Sequence, residues 1–325
     1  MKRSLKIGLV DLDTSHPASF APILRDQGHE VIGVFESGIV WPTGYAETFA
    51  REHAIPRIFS DLDDMAQAVD VAIIHTCNWD LHLARCEPFL RAGKGVLIDK
   101  PLVGNLRDAQ TLLGWAARGA RIFGGSSLRW AREIHDLLAE PEAERGRIHT
   151  VFAGCAVDDF NYGIHAYALL SGLLGVGATS VRYLGQSLQK EIRVAWSDGR
   201  TGLLLVGTQK GYLPFYATIV TDSAVRYLEV DASRVYRALL ERALPYLGGE
   251  SDFPPLSLCE LLEPELIALA ARRSWHEHGA EIHLADLAFG DPGYDGARFA
   301  AEYRRMRLTG TETFKVYADS QARSR

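Results

Sequence analysis

The chain has 325 residues, 47% of them apolar and 23% charged, with a formal net charge of -6, which predicts a soluble globular protein of about two domains. The mixed signs leave no basic stripe for nucleic acid, and no apolar run reaches the roughly 18 residues of a membrane span. The opening MKRSLKIGLVDLD turns acidic too early for a signal peptide. Cys77, Cys86, Cys155 and Cys259 form no CxxC pair, so reduced thiols and a cytoplasmic location are expected.

In chain order, KIGLV reads as a first strand, and Pro17 opens a helix through FAPILRDQ that stops at Gly28. HEVIGVFE is a second strand, 45–53 a helix, IPRIF a short strand and DLDDMAQAV a short helix. VDVAIIHT is almost wholly apolar, as a strand covered on both faces would be. A helix over 81–92, the strand GVLIDK, a helix over 106–118 and the strand ARIFGGSS complete an alternation that predicts a parallel sheet with helices on its faces. After a linking helix to about Ala139 the texture changes. RIHTVFAGCAV, TSVRYLGQS, KEIRVAWSD, TGLLLVGTQ, FYATIVTD and AVRYLEVD are strand-like, with helices over 162–174 and 233–244. That run predicts a mostly antiparallel sheet, followed by helices over 258–278 and 296–305. The expected division is an α/β domain over 1–127 and an α+β domain over 128–325.

Candidate chemistry collects at the strand ends. The turn after the first strand holds Asp11, Asp13, Thr14, Ser15 and His16, ahead of a helix N-terminus that offers free N–H groups to an anion. Three readings stay open for it: a turn capped from within by Thr14, Ser15 or Asp13, a displaced but working phosphate loop, or a metal held by Asp11, Asp13 and His16. Glu36 ends the second strand, where an acidic side chain can accept both ribose hydroxyls of an adenosine and repel a 2′-phosphate. Lys100, ahead of Pro101 at a parallel strand's carboxyl end, points toward the crevice where such sheets bind ligands. His165 supplies an imidazole suited to take a hydroxyl proton, with Asn161 and Tyr162 placed by helical spacing on its side. Arg129 in SSLRW pairs with an anionic substrate or with an acidic neighbour, and His75 is equally open. Tyr212, Phe215 and Tyr216 read as core or interface rather than a sugar platform. HLADLAFGDPGYDG is turn-rich and reaches either the site or a neighbouring subunit.

Three fragments, IDKPL, HTCNWDLH and NYGIHAYALLSGLLG, fall in an order that resembles the glucose–fructose oxidoreductase and inositol dehydrogenase family, Gfo/Idh/MocA, over roughly residues 5 to 230. The resemblance implies a Rossmann-like domain with an EKP motif, then an open-faced sheet domain with a GxH motif. It implies NAD as cofactor, with NADP disfavoured by Glu36, and a hydroxyl of a sugar, cyclitol or related polyol as substrate. It places Thr76, Asn78, His82 and Asp99 beside the cofactor, with His82 structural, and gives Lys100 contact with the hydroxyl being oxidised. Homodimers or homotetramers through the open sheet face are implied as well. The chain departs from the family where Asp11, Asp13 and His16 stand at the glycine positions, and where Cys77 replaces a proline. Asn161 and Ala168 likewise stand where carboxylates are common. These departures keep an alternative in view: a member that has lost dinucleotide binding and serves as a ligand- or partner-binding protein, or a non-redox enzyme.

Overall fold

The computed structural model describes residues 3–207 and 213–309. Its first sheet has six parallel strands in the order β3-β2-β1-β4-β5-β6. The chain runs β1 (Lys6–Val10), α1 (His16–Asp26), β2 (Glu30–Phe35), α2 (Tyr45–Glu52), β3 (Arg57–Phe59), α3 (Leu62–Ala68) and β4 (Val71–Ile74). It continues through a 3₁₀ turn at Trp79–Leu81 into α4 (His82–Arg91), β5 (Gly95–Ile98), α5 (Leu106–Ala117) and β6 (Ile122–Gly124). All four residues of β4 and of β5 are buried, which accounts for their unbroken apolar sequence. The strand order reverses between β1 and β4, so the loops after these strands part and leave a crevice at the carboxyl ends.

A 3₁₀ turn at Ser127–Trp130, α6 (Arg132–Ala139) and α7 (Glu142–Arg145) lead into a seven-stranded sheet. Its members are β7 (Ile148–Cys155), β8 (Ala178–Gln186), β9 (Lys190–Trp196), β10 (Thr201–Val206), β11 (Tyr216–Thr221), β12 (Val225–Glu229) and β13 (Ile282–His283), in the order β12-β11-β7-β10-β9-β8-β13. All pairings are antiparallel except β7 with β10. The strand expected from TGLLLVGTQ ends within the described residues at Val206, and its last two residues, like Tyr212, lie outside them. At the start of the turn-rich HLADLAF segment, His283 and the preceding Ile282 form the edge strand β13.

Four further helices lie among the described residues. α8 (Gly163–Leu174) follows β7 and has every residue but Gly172 buried, so its sequence shows no polar face. α9 (Val235–Leu247) returns to the first lobe, where Leu239, Leu240, Ala243, Leu244 and Leu247 join the core of the parallel sheet. Gly95 makes this docking possible, since a Cβ there would lie 2.3 Å from the Leu247 carbonyl oxygen. α10 (Leu258–His276) starts with a capping box between Ser257 and Glu260 and bridges both cores. α11 (Gly296–Thr309) packs Ala300 and Tyr303 against Val40 and Cys77, the loops that follow β2 and β4. The Asp80 carboxylate accepts the Gly296 and Ala297 N–H groups at its start, and Arg304 donates to the Gly38 and Ile39 carbonyls near its end.

Candidate active site

The β1–α1 turn is held by its own side chains. Asp11 adopts φ 59°, the left-handed conformation for which a dinucleotide turn ordinarily uses glycine. Its carboxylate accepts from the Ser37 N–H and hydroxyl and pairs with Arg85 at 2.8 Å. Asp13 is fully buried; one oxygen accepts from the Thr76 hydroxyl and the Cys77 N–H, and the other has no partner. Burial, and then the neighbouring Asp11, push its carboxyl up to about 6. Glu36 turns both oxygens onto main-chain N–H groups, those of Leu12 and Gly38 at 2.8 Å each. Burial and the two aspartates lift its carboxyl to about 7. Of the three proposed caps only Thr14 acts, accepting from the His16 N–H at 3.2 Å; Ser15 stands at the N-cap position without a side-chain bond.

A metal held by Asp11, Asp13 and His16 does not fit this arrangement. The three side chains serve separate partners: Arg85 and Ser37, then Thr76 and Cys77, then Asp99. Among the described residues, no group of three or more His, Cys, Asp or Glu side chains is placed to hold a metal ion.

Asp99 organises the ends of β4 and β5. One oxygen takes the Nδ1 atoms of both His16 (2.6 Å) and His75 (3.0 Å), and the other accepts the Lys100 N–H. Burial pushes this carboxyl up, but His16 and His75 outweigh it and hold Asp99 well below the usual carboxylate range. Burial drives the His75 imidazole down, so this histidine belongs to the scaffold. His82 ties two carbonyls together, with Nδ1 3.0 Å from Leu102 O and Nε2 3.0 Å from Thr76 O. Asn78 caps the 3₁₀ turn through Asp80 N–H.

Lys100 crosses from the first lobe to the second. Its ammonium donates to the Asn161 carbonyl at 2.8 Å and to the Asn161 side-chain oxygen at 3.0 Å, and sits 5.4 Å from the centre of the Tyr162 ring. Burial lowers the lysine's pKa, opposed by Asp99 and Asp158. His165 is fixed instead by Ser126, whose Oγ lies 2.7 Å from Nδ1. Its imidazole is held well below the ordinary value by burial, then by Lys100 and His16.

Two expectations from helical spacing need correction here. Asn161 and Tyr162 precede the helix, which begins at Gly163, because the Asp158 carboxylate accepts both the Phe160 and Tyr162 N–H groups and holds a turn. Asn161 therefore serves Lys100 and not His165. Ser126, at the junction after β6, takes the orienting place assigned to Asn161. Nothing in the spacing of SSLRW signals that partnership.

Lys100 and His165 nevertheless meet. Both line one small cleft with Thr14, Ser15, His16 and Cys77 from the first lobe and with Asn161 and Tyr162 from the second. Phe299, Tyr303 and Arg307 of α11 close its remaining side, a contribution invisible in the sequence beyond the prediction of a helix. Arg129 lies elsewhere, lining a separate hollow with Trp130, Ile134 and Arg242. Phe215 immediately precedes β11, which Tyr216 opens; Phe215 is buried, 5.0 Å from the His165 ring.

An open parallel sheet whose crevice meets polar groups from a second, mixed-sheet lobe defines a two-lobed protein with a Rossmann-like, doubly wound α/β lobe. Residues 14–124 match the model of the Gfo/Idh/MocA family, described as an oxidoreductase family with an NAD-binding Rossmann fold. Trans-1,2-dihydrobenzene-1,2-diol dehydrogenase of Danio rerio is 24% identical over 168 residues, 50% of this chain and 48% of that protein. The enzyme of the same name from Oryctolagus cuniculus is 28% identical over 168 residues, 50% of this chain and 42% of that one. The chain thus spans less than half the length of these curated relatives. Scyllo-inositol dehydrogenase from Lactobacillus casei, solved with NAD(H) and scyllo-inositol, superposes with a TM-score of 0.73 at 15% identity over 87% of this chain and 100% of its own. Myo-inositol dehydrogenase from the same organism gives 0.72 at 17% identity over 89% and 99%. These likenesses confirm the fold.

Proposed function

We propose that the chain is an NAD-dependent dehydrogenase that oxidises a secondary hydroxyl of a sugar, cyclitol or related polyol. The observation that carries this reading is the meeting of Lys100 and His165, from different lobes, on one cleft at the carboxyl end of the parallel sheet. The family match over 14–124 and the inositol-binding structural relatives support it. Domain boundaries of 1–127 for the cofactor and 128–325 for the substrate belong to the same proposal, as does a cytoplasmic setting. No described helix is long and apolar enough to cross a membrane. We extend it to a homodimer or homotetramer through the second sheet, where Val225 and Tyr227 are 70% and 66% exposed.

The residues present are compatible with a dinucleotide. Asp11 keeps the left-handed turn, Arg85 neutralises its carboxylate, and the raised values of Asp13 and Glu36 reduce the negative charge facing the crevice near neutrality. Glu36 would anchor the adenosine ribose, and Thr14, Ser15, Thr76 and Asn78 would line the path between the two ends. NAD supplies a hydride acceptor when bound. With two of its donors committed to Asn161, the Lys100 ammonium has a third for the substrate oxygen, whose developing negative charge it stabilises. His165 in the tautomer protonated at Nδ1 donates to Ser126 Oγ, which leaves Nε2 to take the hydroxyl proton. The imidazole is neutral across the working pH range because burial and Lys100 disfavour its charged form.

Calorimetric titration with NAD and NADH, followed by a polyol panel read as NADH absorbance, tests the proposal. Binding weakened by Glu36→Ala and turnover abolished by His165→Ala are the expected results. The convergence of Asp11, Asp13 and Glu36 on the turn favours a second reading, a ligand-binding member without cofactor. Failure of the folded protein to bind either redox form would establish that alternative.

A further inference from the structure

His16 is the part of this cleft that the dehydrogenase reading leaves unused. It stands at the first position of α1, 6% exposed, where the family pattern has a glycine. Its ring is clamped by the Asp99 carboxylate at 2.6 Å and the Tyr236 ring at 4.9 Å. Asp99 accepts from His16 Nδ1, His75 Nδ1 and the Lys100 N–H. An ionised carboxylate only accepts, so His16 must carry its proton on Nδ1, which leaves the Nε2 lone pair as the ring's free polar site. His16 lines the cleft together with Lys100 and His165. A base oriented by a carboxylate, an ammonium and a second imidazole from the opposite lobe therefore face one guest.

We propose that His16, positioned by Asp99, is a second proton-transfer group, and that the protein exchanges the carbon-bound proton next to the carbonyl of a polyhydroxy ketone. Nε2 of His16 takes the proton from the carbon bearing the neighbouring hydroxyl. The C–H electron pair becomes the C=C bond of an enediolate, and the carbonyl pair moves to oxygen, where the Lys100 ammonium holds the charge. Return of a proton from the His16 imidazolium to the same carbon regenerates the ketone. Protonation of the opposite face by solvent, with the His16 imidazolium giving its proton up to water, yields the epimer. No oxidant is consumed. The proposal shares the cleft and the polyol chemistry of the preceding section, but not its hydride step, so the two fail separately.

The test is ¹H NMR of dihydroxyacetone and 2-keto-myo-inositol in D₂O with the full chain and no nicotinamide cofactor. Wild-type protein is expected to erase the α-proton signal of at least one ketone well above the protein-free rate. His16→Gln, which keeps a donor for Asp99, should slow exchange by roughly 100-fold or more, the usual scale of general acid–base catalysis, while affinity for the ketone holds. His16→Ala should regain exchange on addition of free imidazole. Asp99→Asn should fall between wild type and His16→Gln in rate, again with affinity kept. Exchange of neither ketone by the wild type overturns the proposal. So does wild-type exchange in His16→Gln, or loss of exchange and affinity together in both His16 variants without imidazole rescue. Exchange without NAD binding would instead retire the dehydrogenase reading alone.

Discussion

Asp13 offers the sharpest physical test of the turn. Its carboxyl is buried beside Asp11, and its folded-state value of about 6 stands above the ordinary 3.8. At about 1.36 kcal/mol per pH unit, that gap is worth roughly 3 kcal/mol. The folded protein binds the extra proton, so this group's penalty is absent below the unfolded value, grows as pH rises through 4 to 6, and is complete above the folded value. About half of it is present at pH 5, so roughly 1.4 kcal/mol is added between about pH 5 and pH 8. Asp13→Asn removes the ionisation while its side-chain oxygen can still accept from Thr76 and Cys77. The variant should therefore gain on the wild type by about 1.4 kcal/mol between those pH values, or about 2 °C in Tm for a chain of this length. Urea titrations across the range, with parallel thermal scans, measure the difference. A gap between the two proteins that stays constant or narrows as pH rises would refute the assignment of a buried, proton-binding Asp13.

Other outcomes follow from the cleft and its scaffold. Lys100→Met should cut kcat/KM for polyol oxidation by about 10²–10³, the cost of one oxyanion donor, with NAD affinity unchanged. In that variant the acid limb of the rate profile should move to higher pH, because Lys100 is among the groups that depress His165. Wild-type turnover should stay flat well below the ordinary imidazole range. Ser126→Ala frees the His165 ring from its 2.7 Å partner and should lower kcat by roughly tenfold, about one hydrogen bond's worth, with polyol KM little altered. In the scaffold, Gly95→Ala sets a Cβ 2.3 Å from the Leu247 carbonyl; forcing α9 off β5 should cost about 1–3 kcal/mol, measured as a fall in Tm.

The parallel sheet was legible because β4 and β5 are buried on both faces and so carry runs of apolar residues with no polar alternation. The α8 segment was legible for the same reason. Its boundary was not: a 3.6-residue count carried Asn161 and Tyr162 into the helix, whereas the Asp158 carboxylate stops the turn short of Gly163. Capping of that kind depends on one side chain, and periodicity does not register it.

The lobes' meeting was harder still, because it depends on contacts between residues far apart in the chain. His16 and Asp99 are 83 residues apart, Ser126 and His165 39, and Lys100 and Asn161 61. Local sequence shows each partner as a polar residue near a strand end or turn, with nothing to say which pairs with which. What decides is desolvation: once β1, β4 and β5 lie side by side, the groups at their carboxyl ends lose water and must bond to one another or be neutralised. Asp99 resolves this by collecting two imidazoles and a backbone N–H. Asp13 resolves it by taking up a proton as pH falls through about 6. The glycine-poor turn thus works as an electrostatic unit, in which one aspartate binds a guanidinium, one retains its proton more readily, and the histidine lines the cleft with its Nδ1 held by Asp99.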